Sequence, residues 1–100
     1  MIDEVFQALA HPHRRQIIDF VHQTPGCSSG EIAALFESSR IAVAKHIKIL
    51  EKAQLLLIEK SGRTKQHYFN IMPIQTVYDR WTDQYSQFFS APLNSFKNYV

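Results

Sequence analysis

Ser38-Ser39-Arg40-Ile41-Ala42-Val43-Ala44-Lys45-His46-Ile47-Lys48-Ile49-Leu50-Glu51-Lys52-Ala53 is the stretch on which the reading of this chain turns. At about 100° per residue, Val43, Ile47 and Leu50 share one face of a helix. Ile41, Lys45, Lys48 and Lys52 fall on the opposite face. Such a helix is anchored by its apolar stripe and turns a cationic stripe outward. Ser38-Ser39-Arg40 interrupts the preceding pattern and supplies an N-cap. Taken alone, this helix also fits an ordinary lysine-bearing surface helix. Its neighbours separate the two readings.

On the C-terminal side the period changes. Leu55-Leu56-Leu57-Ile58-Glu59-Lys60 is strand-like, Ser61-Gly62-Arg63 is a turn, and Thr64 to Ile71 returns with β-branched and aromatic residues. This is a hairpin, with Gly62 free to take the positive φ of a tight turn. Pro73 then opens a long fifth helix with apolar residues at Ile74, Val77, Tyr78, Trp81, Tyr85, Phe88, Phe96 and Tyr99. Its alternating steps of four and three have coiled-coil character, and Pro92 is expected to kink or split it.

On the N-terminal side, Ile2, Val5, Phe6 and Leu9 mark one face of a first helix, and His11-Pro12 ends it and starts a second. That second helix turns Ile17, Ile18 and Val21 inward and stops before Pro25-Gly26. Ser28-Ser29-Gly30-Glu31 reads as a capping box opening a short third helix with Ile32, Leu35 and Phe36 apolar. The order is α-α-α-α-β-β-α: mainly α with a β-hairpin wing, in one domain over residues 1–100. Two helices joined by a tight turn before a basic hairpin form a winged helix-turn-helix. The reading unit is expected over about 28–71, with association helices over about 2–10 and 73–99.

Charge separates along the chain in the same way. Residues 38–70 hold seven cations against Glu51 and Glu59, a net +5, whereas the remainder holds four cations against seven acids, a net −3. Attraction to phosphate is local, so this asymmetry suits a polyanion-binding face. A major groove admits one helix, and residues near that helix's N-terminal end reach base edges. Ser38, Ser39, Arg40, Ile41 and Ala42 occupy that end. Arg40 suits guanine O6/N7, and Ile41 and Ala42 suit thymine methyls. Lys45 and Lys48 suit phosphates, which position the helix without reading sequence. The hairpin brings Lys60, Arg63, Lys65 and His67 to the flanking minor groove or backbone. His46 joins the candidate DNA-facing set, with a structural role the alternative for both histidines. Double-stranded DNA is the expected partner.

These segments resemble the ArsR/SmtB family of winged-helix repressors. Phe6-Gln-Ala-Leu-Ala-His-Pro-His-Arg-Arg-Gln-Ile-Ile18 is similar to its opening signature x-x-L-A-(D/H)-P-x-R-R-x-I-L. Glu31-Ile-Ala-Ala-Leu-Phe36 matches the third helix. Ile41-Ala-Val-Ala-Lys-His-Ile-Lys-Ile-Leu-Glu-Lys-Ala53 is similar to the recognition helix x-x-V-S-x-H-L-x-x-L-x-x-A-G-L. The resemblance spans roughly residues 2–71. It departs from the pattern at Ala44, where serine is common, and at Gln54, where glycine is usual. It implies a homodimer on an inverted-repeat operator, repressing until a signal releases it, with the first and last helices forming the interface. Val5, Phe6, Leu9, Tyr78, Trp81, Tyr85, Phe88, Phe89 and Phe96 are the expected interface residues, with room between subunits for an unidentified effector.

Metal-sensing members of that family carry cysteine pairs on the third helix or His/Asp/Glu sets on the last. Here Cys27 is the lone cysteine, and the last helix offers Asp79 and Asp83 without a histidine. No metal or other cofactor is expected, because two carboxylates without nitrogen donors make a poor transition-metal site. His11 and His13, an exposed pair at a helix start, are expected to solvate or cap. Cys27 is expected to be inert rather than a redox thiol. No nucleophile, base and orienting group converge, and no Gly-rich phosphate loop appears, so an enzyme is not expected. No apolar run approaches the ~18 residues of a membrane span. Met1-Ile2-Asp3-Glu4 lacks the basic start of a secretory signal, so a cytoplasmic protein is expected. The alternative function is a winged-helix protein-interaction or anti-repressor module without DNA binding.

Overall fold

A computed structural model describes residues 2–83. Helix α1 (Ile2–Leu9) ends at the His11-Pro12 break, and α2 (Pro12–Gln23) starts with Pro12 in its first turn, where no amide hydrogen is needed. The His11 ring caps α2, its Nδ1 accepting from the His13 amide at 3.0 Å. α3 (Ser29–Ala33) opens on the reciprocal capping box, with Ser28 Oγ accepting from the Glu31 amide at 3.1 Å. The Glu31 carboxylate accepts from the Ser28 amide at 3.0 Å. α4 (Arg40–Lys52) is capped by Ser39, whose Oγ accepts from the Ala42 amide at 3.2 Å.

The end of α4 explains why the strand starts one residue later than its apolar run suggests. Leu55 donates to the Leu50 carbonyl at 3.0 Å, and Gln54 donates to Glu51 at 2.9 Å. This pair of bonds is a Schellman motif, with Leu50 and Leu55, both fully buried, as its hydrophobic contact. Gln54 occupies the left-handed position at φ +61°, where glycine is preferred. Only after this cap does the chain extend into β1 (Leu56–Ser61), which pairs antiparallel with β2 (Thr64–Phe69) from Leu56↔Phe69 to Ser61↔Thr64. Gly62 turns the hairpin at φ +62° while Arg63 keeps a negative φ, as a type II′ turn requires. Helix α5 (Met72–Thr82) follows with Pro73 in its first turn. Tyr85, Phe88, Phe89, Pro92, Phe96 and Tyr99 lie outside the described residues.

One core holds these elements together. Ile17, Ile18 and Val21 of α2, Ile32 of α3, Val43, Ile47 and Leu50 of α4, and Leu55 and Leu56 are all buried in it. α1 contributes Val5 and Ala8. Burying an aliphatic side chain of this kind stabilises the fold by roughly 1.5–3 kcal/mol. The core therefore fixes the face that α4 shows to solvent.

Candidate nucleic-acid interface

With Val43, Ile47 and Leu50 inward, α4 presents the expected cationic stripe. Arg40, Lys45, Lys48 and Lys52 are exposed, as are Ser38 and Ser39. Ile41, an apolar residue with nothing to cover it, is 72% exposed at the helix's leading end. Ala42 is half-buried behind it. Lys60, Arg63 and Lys65 are exposed on the hairpin, with Lys60 and Lys65 paired across the two strands. Helix and hairpin share the walls of one open cleft of about 380 Å³, and Ser29, Arg40, Lys48 and Lys65 all lie along it with Glu51. Two cationic elements thus border one groove.

Two histidines depart from the DNA-facing expectation. His67 is fully buried on β2. Its Nδ1 donates to the Cys27 carbonyl at 2.8 Å, and its backbone amide donates to the same oxygen at 3.0 Å. Gly26 returns a bond to the His67 carbonyl at 2.8 Å, so the turn after α2 joins the sheet at a single bridge. His67 is a staple between that turn and the wing, and it is shut off from solvent. The alternation of β2 accounts for this: Lys65 and His67 would share a face on a flat strand, but the approach of Cys27 roofs over His67 alone. His46, half-buried, faces α2 instead of the outer stripe, with the Arg14 guanidinium donating to its Nδ1 at 3.1 Å. Arg14 is held there by the Ala8 and Gln7 carbonyls, each at 2.9 Å. Partial burial, then His11, Arg14 and His13, pull the His46 pKa below its ordinary value.

Cys27 is 2% exposed, and burial, reinforced by Glu31, pushes its thiol pKa up. The thiol is therefore the inert kind, since reactivity tracks the thiolate.

At the opposite edge, Val5 is turned into the chain's own core and is not free for an interface: α1 points its Val5/Ala8 face inward. Leu9 is half-buried against that core. Phe6, at 47% exposure, instead meets Trp81 of α5, with ring centroids 5.9 Å apart. Trp81 and Tyr78 are themselves 48% and 62% exposed. Among the described residues, Phe6, Tyr78 and Trp81 are thus the expected interface residues that remain open to solvent.

A capped three-helix core, a helix with a solvent-facing cationic stripe and a charged hairpin beside it define a winged helix-turn-helix DNA-binding protein. Residues 9–59 match a family model described as a helix-turn-helix domain. The chain is 32% identical over 84 residues to the HTH-type transcriptional regulator Rv2034 of Mycobacterium tuberculosis, covering 80% of this chain and 78% of that protein. It is 27% identical over 74 residues to the transcriptional repressor SdpR of Bacillus subtilis, covering 74% and 81%. The crystal structure of an ArsR family transcriptional regulator superposes with a TM-score of 0.73 at 26% identity, over 89% of this chain and 90% of that one. The chain belongs to the ArsR family of DNA-binding transcriptional regulators. No helix among the described residues is long and apolar enough to cross a membrane.

Proposed function

We propose that this regulator is a cytoplasmic repressor that occupies an inverted-repeat operator as a homodimer and acts by occupancy, without chemistry of its own. The observation that carries the reading is the shared groove: Arg40 and Lys48 of α4 and Lys65 of the wing line one cleft. Arg40, at the leading end of α4, reads guanine; Ile41 meets thymine methyls; Lys45 and Lys48 take phosphates, and Arg63 reaches the backbone or minor groove alongside. Two copies joined through Phe6, Tyr78 and Trp81 present two such helices to successive major grooves, which sets the half-site spacing at one helical turn. The repressor name carried by the similar protein of B. subtilis supports the sign of regulation. A protein-interaction module in place of a DNA reader calls for acidic potential over Ser39, Lys45 and Lys48. That face carries Arg40 and Lys52 beside them, both exposed.

Fluorescence anisotropy on a labelled duplex from the promoter upstream of its own gene tests the reading. The expected result is binding that weakens steeply with salt and falls about fivefold or more on Arg40→Ala, the low end of a bidentate guanine contact. Purified dimer that ignores this duplex at low salt overturns it.

A further inference from the structure

We propose that His11, His13 and His46 form a binding site for a transition-metal ion, joining the start of α2 to the recognition helix α4. From sequence, His11 and His13 stand as an exposed pair and no metal is expected; the fold brings His46, more than thirty residues on, against them. One nitrogen from each ring lies within 4.8 Å of the other two. Ring centroids are 4.5 Å apart for His11 and His46, 5.0 Å for His11 and His13, and 5.8 Å for His13 and His46. Three imidazoles on a tetrahedral ion at 2.0–2.1 Å have nitrogens about 3.3 Å apart. Closing the gap takes small side-chain rotations. All three residues are half-buried, so none is sealed in the core, and what rotation must give up is the hydrogen bonding at the His11 and His46 rings.

The donor set selects the ion. Three imidazoles without a carboxylate or thiolate suit Cu(II), Zn(II), Ni(II) or Co(II) and exclude Mg(II) and Ca(II), which want oxygen. Two features oppose the ion. Arg14 and Arg15 follow directly, and α2 offers its positive end. The Nδ1 atoms of His11 and His46 also accept hydrogen bonds, from the His13 amide and from Arg14. Coordination through Nε2 moves the ring proton to Nδ1 and ends those two bonds, whereas coordination through Nδ1 displaces the donors. The site is therefore selective for ions with the strongest imidazole affinity, and copper(II) is expected to bind more tightly than zinc. The site differs in position from the third-helix and last-helix sites that the family resemblance leads one to look for.

Isothermal titration of the tag-free full chain with zinc chloride, and separately with copper(II), tests the site. One ion per chain is expected, with melting temperature rising as the ion is added. His13→Ala, which keeps the α2 cap, should weaken zinc binding at least about tenfold, since even an outer partner of a ligand costs that much. His11→Asn, which replaces the cap with another good capping residue, should do the same while the circular dichroism spectrum stays folded. His22→Gln, at an exposed histidine elsewhere on α2, should leave binding unchanged. Absence of stoichiometric binding for both ions, equal binding by His13→Ala, or equal weakening by His22→Gln overturns the site. None of these outcomes bears on duplex binding, which is measured without metal.

Discussion

Two regions that border α4 face different worlds. Where its inner face meets α2, α3 and β1, side chains close on one another until Ile17, Val21, Ile32, Leu50 and Leu55 are fully buried. Where its C-terminus approaches α1 and α5, aromatic and apolar groups stay in water: Phe6, Met72, Tyr78 and Trp81 are all roughly half exposed or more. The first region is self-sufficient, since its apolar surface is spent within one chain. The second is not. Among the described residues α5 has no buried residue, and a helix with so large an apolar face is normally covered by something. The reading head is thus a complete unit, whereas the α1–α5 edge leaves apolar surface uncovered within the described residues, the edge at which the proposed dimer would form.

Mutations divide along that line. Leu50→Ala cuts into the sealed region and should destabilise the protein by about 3–4 kcal/mol, read by urea unfolding. A loss under ~1 kcal/mol would mean that the core is not the close-packed unit described. Trp81→Asp acts on the open edge. It should leave the far-ultraviolet circular dichroism of the reading head intact, yet raise the dimer dissociation constant about thirtyfold or more in sedimentation equilibrium, as a buried hot-spot aromatic does. If this variant remains a dimer and still grips a two-half-site duplex, the interface lies elsewhere. Gln54→Gly touches neither region's packing, only the left-handed turn between them, and should stabilise the fold by about 1 kcal/mol. An unchanged or lower melting temperature would show that the strain at φ +61° is already relieved. The smallest effect is an absence of reaction: Cys27, sealed with its pKa raised, should resist iodoacetamide at about pH 8 in native protein and react on unfolding. Alkylation at equal rates in both states would contradict its burial.

The reading head is largely legible in the sequence because its elements announce themselves locally. The 3.6-residue period of α4, the capping box at Ser28 and the Gly62 turn each depend on neighbours a few positions away. Residues whose role depends on distant segments are not legible in this way. His67 looks like a wing-tip residue until the turn at Cys27 crosses over it. By spacing His46 falls at the edge of α4's apolar face, so its half-burial is legible, but its partner is not: only the anchoring of Arg14 by α1 carbonyls shows what it meets on α2. Val5 and Phe6 fit the same short apolar pattern, and an eight-residue helix is too brief for periodicity to separate core from interface. The departure at Gln54 is visible in the sequence, but its consequence, a left-handed residue without glycine's freedom, needs the backbone angle.

The cationic stripe on α4 is the feature on which the DNA-binding account stands, and counterion release measures it directly. Plotting log K against log salt for the wild-type chain and for Lys45→Ala on the same duplex should show the slope fall by about 0.9, as expected when one phosphate is no longer neutralised by a lysine. Identical slopes for the two proteins would mean that Lys45 touches no phosphate and that α4 does not lie along the DNA as described.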